Sequence, residues 1–159
     1  MVTTGDPVGT HDPVYLEDLT IGQVFTTGAM DLTADSIIEF AQQFDPQPMH
    51  LSDEGAAGTI FQSLTASGWH ITALTMRLMV DSRTLGSTPL IGAEIMHVRF
   101  AQPARPGIRL TAKAEVTDIL PGTNPARGFA MMAGTTLDQH TDEIVMTQSW
   151  RMLLPKRPS

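Results

Sequence analysis

The spacing of apolar positions changes character once along the chain, near Asp81. Before that point the apolar residues recur at helical intervals. Ile37, Ile38, Ala41 and Phe44 fall at i, i+1, i+4 and i+7, one face of a helix over residues 33–44 with Thr33 able to cap it. Pro46 stops that helix, because proline disfavours α geometry in the residue before it, here Asp45. Residues 52–58 read as a short capped helical turn with Asp53 and Glu54 where the dipole favours acids. A second long helix is expected from Gly68. Its apolar residues, among them Trp69, Ile71, Leu74, Met76, Leu78 and Val80, wrap most of the circumference, which predicts a buried central helix.

Beyond Asp81 the period is two. Ile108, Leu110, Ala112, Ala114 and Val116 alternate with Arg109, Thr111, Lys113, Glu115 and Thr117, a strand with one wet face. Further strands are expected at about 90–101, 127–137 and 143–154. Proline- and glycine-bearing breaks at 103–107 and 121–125, and a polar segment at 138–142, separate them. Gly22 to Thr27 predicts a turn feeding a β segment that ends near Asp31. One strand, then helices, then a run of antiparallel strands is an α+β layout. No internal repeat and no low-complexity tract interrupts it.

Length and composition narrow this further. The 159 residues, 42% hydrophobic, suit one core-bearing domain over residues 14–159, with residues 1–13 as a Gly/Pro/Thr-rich arm. Ten basic against seventeen acidic side chains give −7, which argues against a nucleic-acid partner. With no cysteine, disulfides and thiolate chemistry are excluded. No basic leader followed by an apolar run is present, nor any stretch of about 18 apolar residues, so no membrane association and a cytoplasmic location are expected.

Chemistry concentrates in Phe44-Asp45-Pro46-Gln47-Pro48-Met49-His50. Two prolines restrict the loop, so an acid and an imidazole five positions apart can be held towards one point with little entropy left to lose. Such a pair can deprotonate a shared water; equally, Asp-Pro is a common helix-ending turn. The second stretch is Thr65-Ala66-Ser67-Gly68-Trp69-His70 at the start of the central helix. A Gly68 amide at a helix N-terminus can stabilise an oxyanion. The alternative is that Ser67 caps the helix and Gly68 permits close packing.

Together these stretches resemble the MaoC-like dehydratases, the (R)-specific enoyl-CoA hydratases of the hot-dog fold. That family's motif, Gly-Asp-x-Asn-Pro-x-His, is matched at Asp45, Pro48 and His50, with Phe44 in place of the glycine and Gln47 in place of the asparagine. The family's His-Gly at the helix start stands here as Ser67-Gly68. Its later Phe-x-x-Pro-Val-x-x-Gly-Asp segment stands as residues 100–108, with Ile108 in place of the closing acid. The similarity runs over roughly residues 15–154.

The resemblance implies a long central helix wrapped by a curled antiparallel sheet. It implies Asp45, His50 and Gly68 as catalytic residues, with Gln47, Pro48, Ser67 and Trp69 contacting substrate. It implies an enzyme of fatty acid metabolism that hydrates a trans-2-enoyl thioester of CoA or acyl carrier protein without metal or redox cofactor, assembled as a homodimer or larger oligomer. Arg99, Arg105, Lys113 and Arg127 would be the sources of cations for CoA phosphates. A thioesterase and a non-catalytic acyl-thioester binding protein remain the alternatives. Elsewhere, His70 is expected as a buried imidazole donating to a carbonyl and His97 as a strand residue. A metal site from His50, Asp53, Glu54 and His70 matches no helical zinc spacing, and the methionines are expected in the core.

Overall fold

The computed structural model of the protein describes residues 12–159. The arm expected over residues 1–13 lies outside the described residues as far as residue 11. Pro13 forms a bridge with Gly86, and the Asp12 carbonyl accepts from the Ser87 N–H.

The chain forms β1 (Val24–Asp31), α1 (Ala34–Phe44), α2 (Asp53–Ala56), α3 (Gly68–Asp81), β2 (Ile91–Phe100), β3 (Arg109–Leu120), β4 (Arg127–Asp138) and β5 (Ile144–Pro155). Each expected strand and helix is present. Thr33 Oγ1 accepts from the Ser36 N–H at the start of α1, and Ser52 Oγ does the same for Gly55 at α2. Each cap is worth about 1 kcal/mol.

All five strands join one antiparallel sheet in the order β1-β3-β4-β5-β2. Consecutive long strands β3, β4 and β5 pair as neighbours, while β1 and β2 form the edges. Register shifts interrupt the pairs, and such bulges bend a sheet. At the β1 bulge Thr27 Oγ1 replaces a ladder partner by accepting from the Ala112 N–H, and the Gly28 N–H reaches Ser82 Oγ just beyond α3. The end of the long helix is thereby tied to an edge strand.

On β3 the alternation is seen as buried Leu110, Ala112, Ala114 and Val116 against exposed Lys113, Glu115 and Thr117. Thr111 departs from it; its hydroxyl is buried in the Thr27–Gly28 bulge. Helix α3 lies on the sheet through Ile71, Thr75, Leu78 and Met79, and Thr75 Oγ1 meets Thr136 Oγ1 of β4 at 2.7 Å. The expectation that α3 is buried all round is corrected. Trp69 is 62% exposed, Met76 45% and Val80 52%, because the sheet and α1 cover the rest of the helix and no described element covers this stripe. Of the methionines expected in the core, Met79, Met132, Met146 and Met152 are buried there, whereas Met76 and Met96 are exposed. His97 sits in β2 opposite Ser149.

Candidate active site

Each proline in the loop after α1 sets one turn. Asp45 ends the helix, its N–H still bonded to the Ala41 carbonyl. Pro46 is the centre of an i to i+2 turn closed by Gln47 N–H to Asp45 C=O at 2.7 Å, for which proline's fixed φ is suited. Pro48 then opens a 3₁₀ turn, Pro48–His50, at the position where its missing N–H costs nothing. The helix-ending turn and the convergent pair are therefore one device. Asp45 Oδ2 lies 3.5 Å from His50 Nε2.

His50 is buried, and its Nδ1 lies 2.7 Å from the Thr65 carbonyl oxygen. A carbonyl can only accept, so Nδ1 carries the hydrogen, and Nε2 is the ring nitrogen turned towards Asp45. Asp45 Oδ2 accepts from Ser67 Oγ at 2.6 Å, and Oδ1 from Gln47 Nε2 at 2.6 Å. The Ser67 hydrogen bond is the main reason the Asp45 carboxyl is held below its ordinary range. Gln47 and the nearby His50 add to this, and burial opposes it. Asp45 is thus a carboxylate whose two oxygens are oriented by side chains on either side of it.

Ser67 occupies the N-cap of α3 but makes no capping hydrogen bond, which corrects the capping alternative. Its hydroxyl is spent on Asp45. The Gly68 and Trp69 amides, at the first turn of α3, accordingly have no side-chain cap and no intrahelical acceptor. Close packing at Gly68 is also present: a Cβ there would stand 2.6 Å from Phe100 ring atoms. Phe100 in turn meets Trp69 edge-on, with ring centroids 6.3 Å apart.

The expected site residues therefore separate. Asp45, Gln47 and Ser67 form one hydrogen-bonded cluster with His50 Nε2 3.5 Å from Asp45, Pro48 shapes the turn, and Gly68 follows Ser67 at the helix start. Trp69 instead faces a trough of about 310 Å³ between α3 and β2/β5, lined also by Met76, Leu90, Ile95 and Trp150. Neither Asp45 nor His50 lines it. Arg105 is not a free cation: it donates to the Phe61 and Ser63 carbonyls and to Ser63 Oγ. Asp53 accepts from the Leu64 N–H and ties down the same loop.

His70 departs from expectation. It is 5% exposed, but its Nδ1 has no partner. Its ring stacks on Phe40, centroids 4.7 Å apart, and Phe40 packs on Phe44 at 5.0 Å. Burial pushes its pKa down, so the ring is neutral. Thr65 lies in the stretch the sequence singles out, but the role of its carbonyl as the His50 partner does not show there, since a backbone carbonyl leaves no mark in a sequence.

Residues 17–144 match the MaoC like domain. The chain belongs to the MaoC-like dehydratase family. Within that family it is similar to the crystal structure of the MaoC-like dehydratase from Rhodospirillum rubrum, with a TM-score of 0.84, 35% identity, and coverage of 92% of this chain and 99% of that one. An uncharacterised Bacillus subtilis protein, YdeM, is 36% identical over 109 residues, 69% of this chain and 77% of its own. The R-hydratase PhaJ1 from Pseudomonas aeruginosa shares the fold, with a TM-score of 0.73 and 23% identity over 91% of this chain and 88% of that one. The MaoC-like protein has the hot-dog fold, and its family supports hydratase or dehydratase chemistry in general.

Proposed function

We propose that this MaoC-like protein adds water to a trans-2-enoyl thioester to give an (R)-3-hydroxyacyl thioester, and catalyses the reverse dehydration. The observation that carries the reading is the convergence of two proton-handling atoms, Asp45 Oδ2 and His50 Nε2, 3.5 Å apart. A water donating one hydrogen to each would keep its own lone pair for Cβ of the alkene. Imidazole ordinarily holds a proton more tightly than a carboxylate, and Ser67 and Gln47 weaken Asp45 further as a base. His50 Nε2 therefore takes the proton as the O–Cβ bond forms, and the π electrons move through Cα to the thioester oxygen. The Gly68 N–H is the preorganised donor for that enolate oxygen. The imidazolium, stabilised by Asp45 and the Thr65 carbonyl, returns the proton to Cα, which completes the addition of one water.

This chemistry calls for no metal or redox group; the CoA or acyl-carrier-protein thioester is the substrate, and such thioesters fit a cytoplasmic setting. The reading includes a homodimer. Edge strand β2 pairs only with β5 among the described strands and exposes Ile91, Ile95, Met96 and Phe100, beside the uncovered Trp69, Met76 and Val80 of α3. An antiparallel edge is self-complementary about a two-fold axis, so a second copy can cover both surfaces at once.

The test is loss of enoyl absorbance on adding the protein to trans-2-enoyl-CoAs of short, long and branched chains, with free thiol monitored. Turnover without thiol release, abolished in Asp45→Asn and His50→Ala, is expected. Thiol release would instead indicate thioester hydrolysis. Stabilisation by the acyl-CoA with no turnover across the panel would leave a binding protein.

A further inference from the structure

The loop that presents Thr65 to His50 contains a strained residue. Gln62 has φ +63°, a left-handed backbone in a residue that carries a Cβ. The Ser63 N–H closes an i to i+2 bond to the Phe61 carbonyl at 2.8 Å around it. A positive central φ with that bond is the rarer, strained form of the γ-turn. Such a turn persists only where its surroundings over-determine it.

What surrounds it is Arg105. Its Nη2 donates to the Phe61 carbonyl at 2.7 Å, and its Nη1 donates to the Ser63 carbonyl at 3.1 Å and to Ser63 Oγ at 2.6 Å. One guanidinium thus grips the residues on both sides of Gln62. A fixed planar fork can hold two backbone directions at once, which an ammonium cannot. Two residues further on, Thr65 Oγ1 and the Ala66 N–H both donate to the carbonyl of Ala104, the neighbour of Arg105. The segment from Phe61 to Ala66 is consequently clamped to residues 104–105 at both ends, and the Thr65 carbonyl between them receives His50 Nδ1.

The geometry points to Arg105 as a positioning residue for His50: by holding the strained Gln62 turn it aims the Thr65 carbonyl, and that carbonyl selects the imidazole tautomer with a free Nε2. This rests on the proposed roles of Asp45 and His50 and extends them to a residue that touches neither. The clamp accounts for an arginine here without any phosphate ligand.

Nitrogen-15 NMR of the imidazole resolves the tautomer without any substrate. In the wild type the His50 signals should show a protonated Nδ1 and an unprotonated Nε2. In Arg105→Ala the two tautomers should mix. In the double variant Gln62→Gly/Arg105→Ala, where glycine takes the positive φ without strain, the single tautomer should return. Turnover should follow, falling about 10- to 100-fold in Arg105→Ala, as a small displacement of a reacting group does, and recovering in the double variant. If Arg105→Ala does not fold, Arg105→Lys, which keeps the cation but not the fork, carries the same comparison. A wild-type tautomer that persists unchanged in the arginine variants overturns the inference. Absence of turnover in the wild type would overturn the hydratase reading alone, since the tautomer comparison needs no substrate.

Discussion

Ser67 Oγ donates to Asp45 Oδ2 at 2.6 Å across 22 residues of sequence. This bond joins the loop after α1 to the first residue before α3. It is the largest influence holding the Asp45 carboxyl below its ordinary range, and it fixes where pH should act. In Ser67→Ala the acidic limb of the kcat/KM profile should move up towards the ordinary carboxylate range, with a loss of roughly tenfold at neutral pH for one hydrogen bond to a charged group. Stability should move with it. The folded-state pKa is lower than the unfolded one, so ionised Asp45 contributes stability above about pH 4, lost as pH falls through the lower folded value. Urea midpoints measured from pH 7 to 3 should show the wild type's advantage over Ser67→Ala shrinking at the acid end. An unchanged acidic limb would mean that Asp45 ionisation does not control turnover.

His70 acts in a separate pH window and with the same sign. Burial lowers its folded pKa, so below about pH 6.5 the unfolded chain takes up a proton that the folded one refuses, and stability falls as pH drops. His70→Leu removes that proton, fills the same space against Phe40 and eliminates an unpartnered buried nitrogen. Between pH 7 and 5 its stability curve should be flatter than that of the wild type by up to about 1.4 kcal/mol per pH unit. Parallel curves from chemical denaturation in the two proteins would place the wild-type slope elsewhere.

What the sequence disclosed follows from the range of the interactions. Helix α1 was legible because its period and its Thr33 cap are local, and β3 because alternation is local. The Asp45–His50 loop was legible because prolines restrict the chain where they stand. Ser67 could be named but not given its role, since a serine before a helix looks like a cap whether its hydroxyl turns to the helix or to a carboxylate 22 residues away. The γ-turn at Gln62 carried no glycine to betray it. The helix α3 misled in an informative way: its apolar circumference fits a helix covered on every side, and the described chain leaves the stripe through Trp69, Met76 and Val80 uncovered.

That missing cover makes the oligomeric state a sharp test. Ile95 is 60% exposed on the free edge strand β2, close to the trough under Trp69. Ile95→Lys would place a charge in the proposed seam, where edge lysines prevent strands from pairing. Sedimentation should show a dimer for the wild type and a monomer for the variant at micromolar concentration, with lower thermal stability in the variant. A monomeric wild type would remove the second copy and leave the exposed face of α3 to another partner.

Gly68 presents the last choice, between a glycine required for packing and one required for access to its amide. A Cβ there would stand 2.6 Å from the Phe100 ring, well inside contact distance, so Gly68→Ala must displace that half-exposed ring, at about 1–2 kcal/mol. Phe100→Ala opens the space. Packing alone therefore predicts strong non-additivity: in the Phe100→Ala background, Gly68→Ala should cost little stability, and turnover should return to the level of Phe100→Ala. If stability recovers in the double variant while turnover stays lost, the methyl group obstructs the approach of the thioester oxygen to the Gly68 N–H. The latter result is expected if the amide is the oxyanion donor, because removing Phe100 clears the ring from the added methyl group but leaves that group beside the amide.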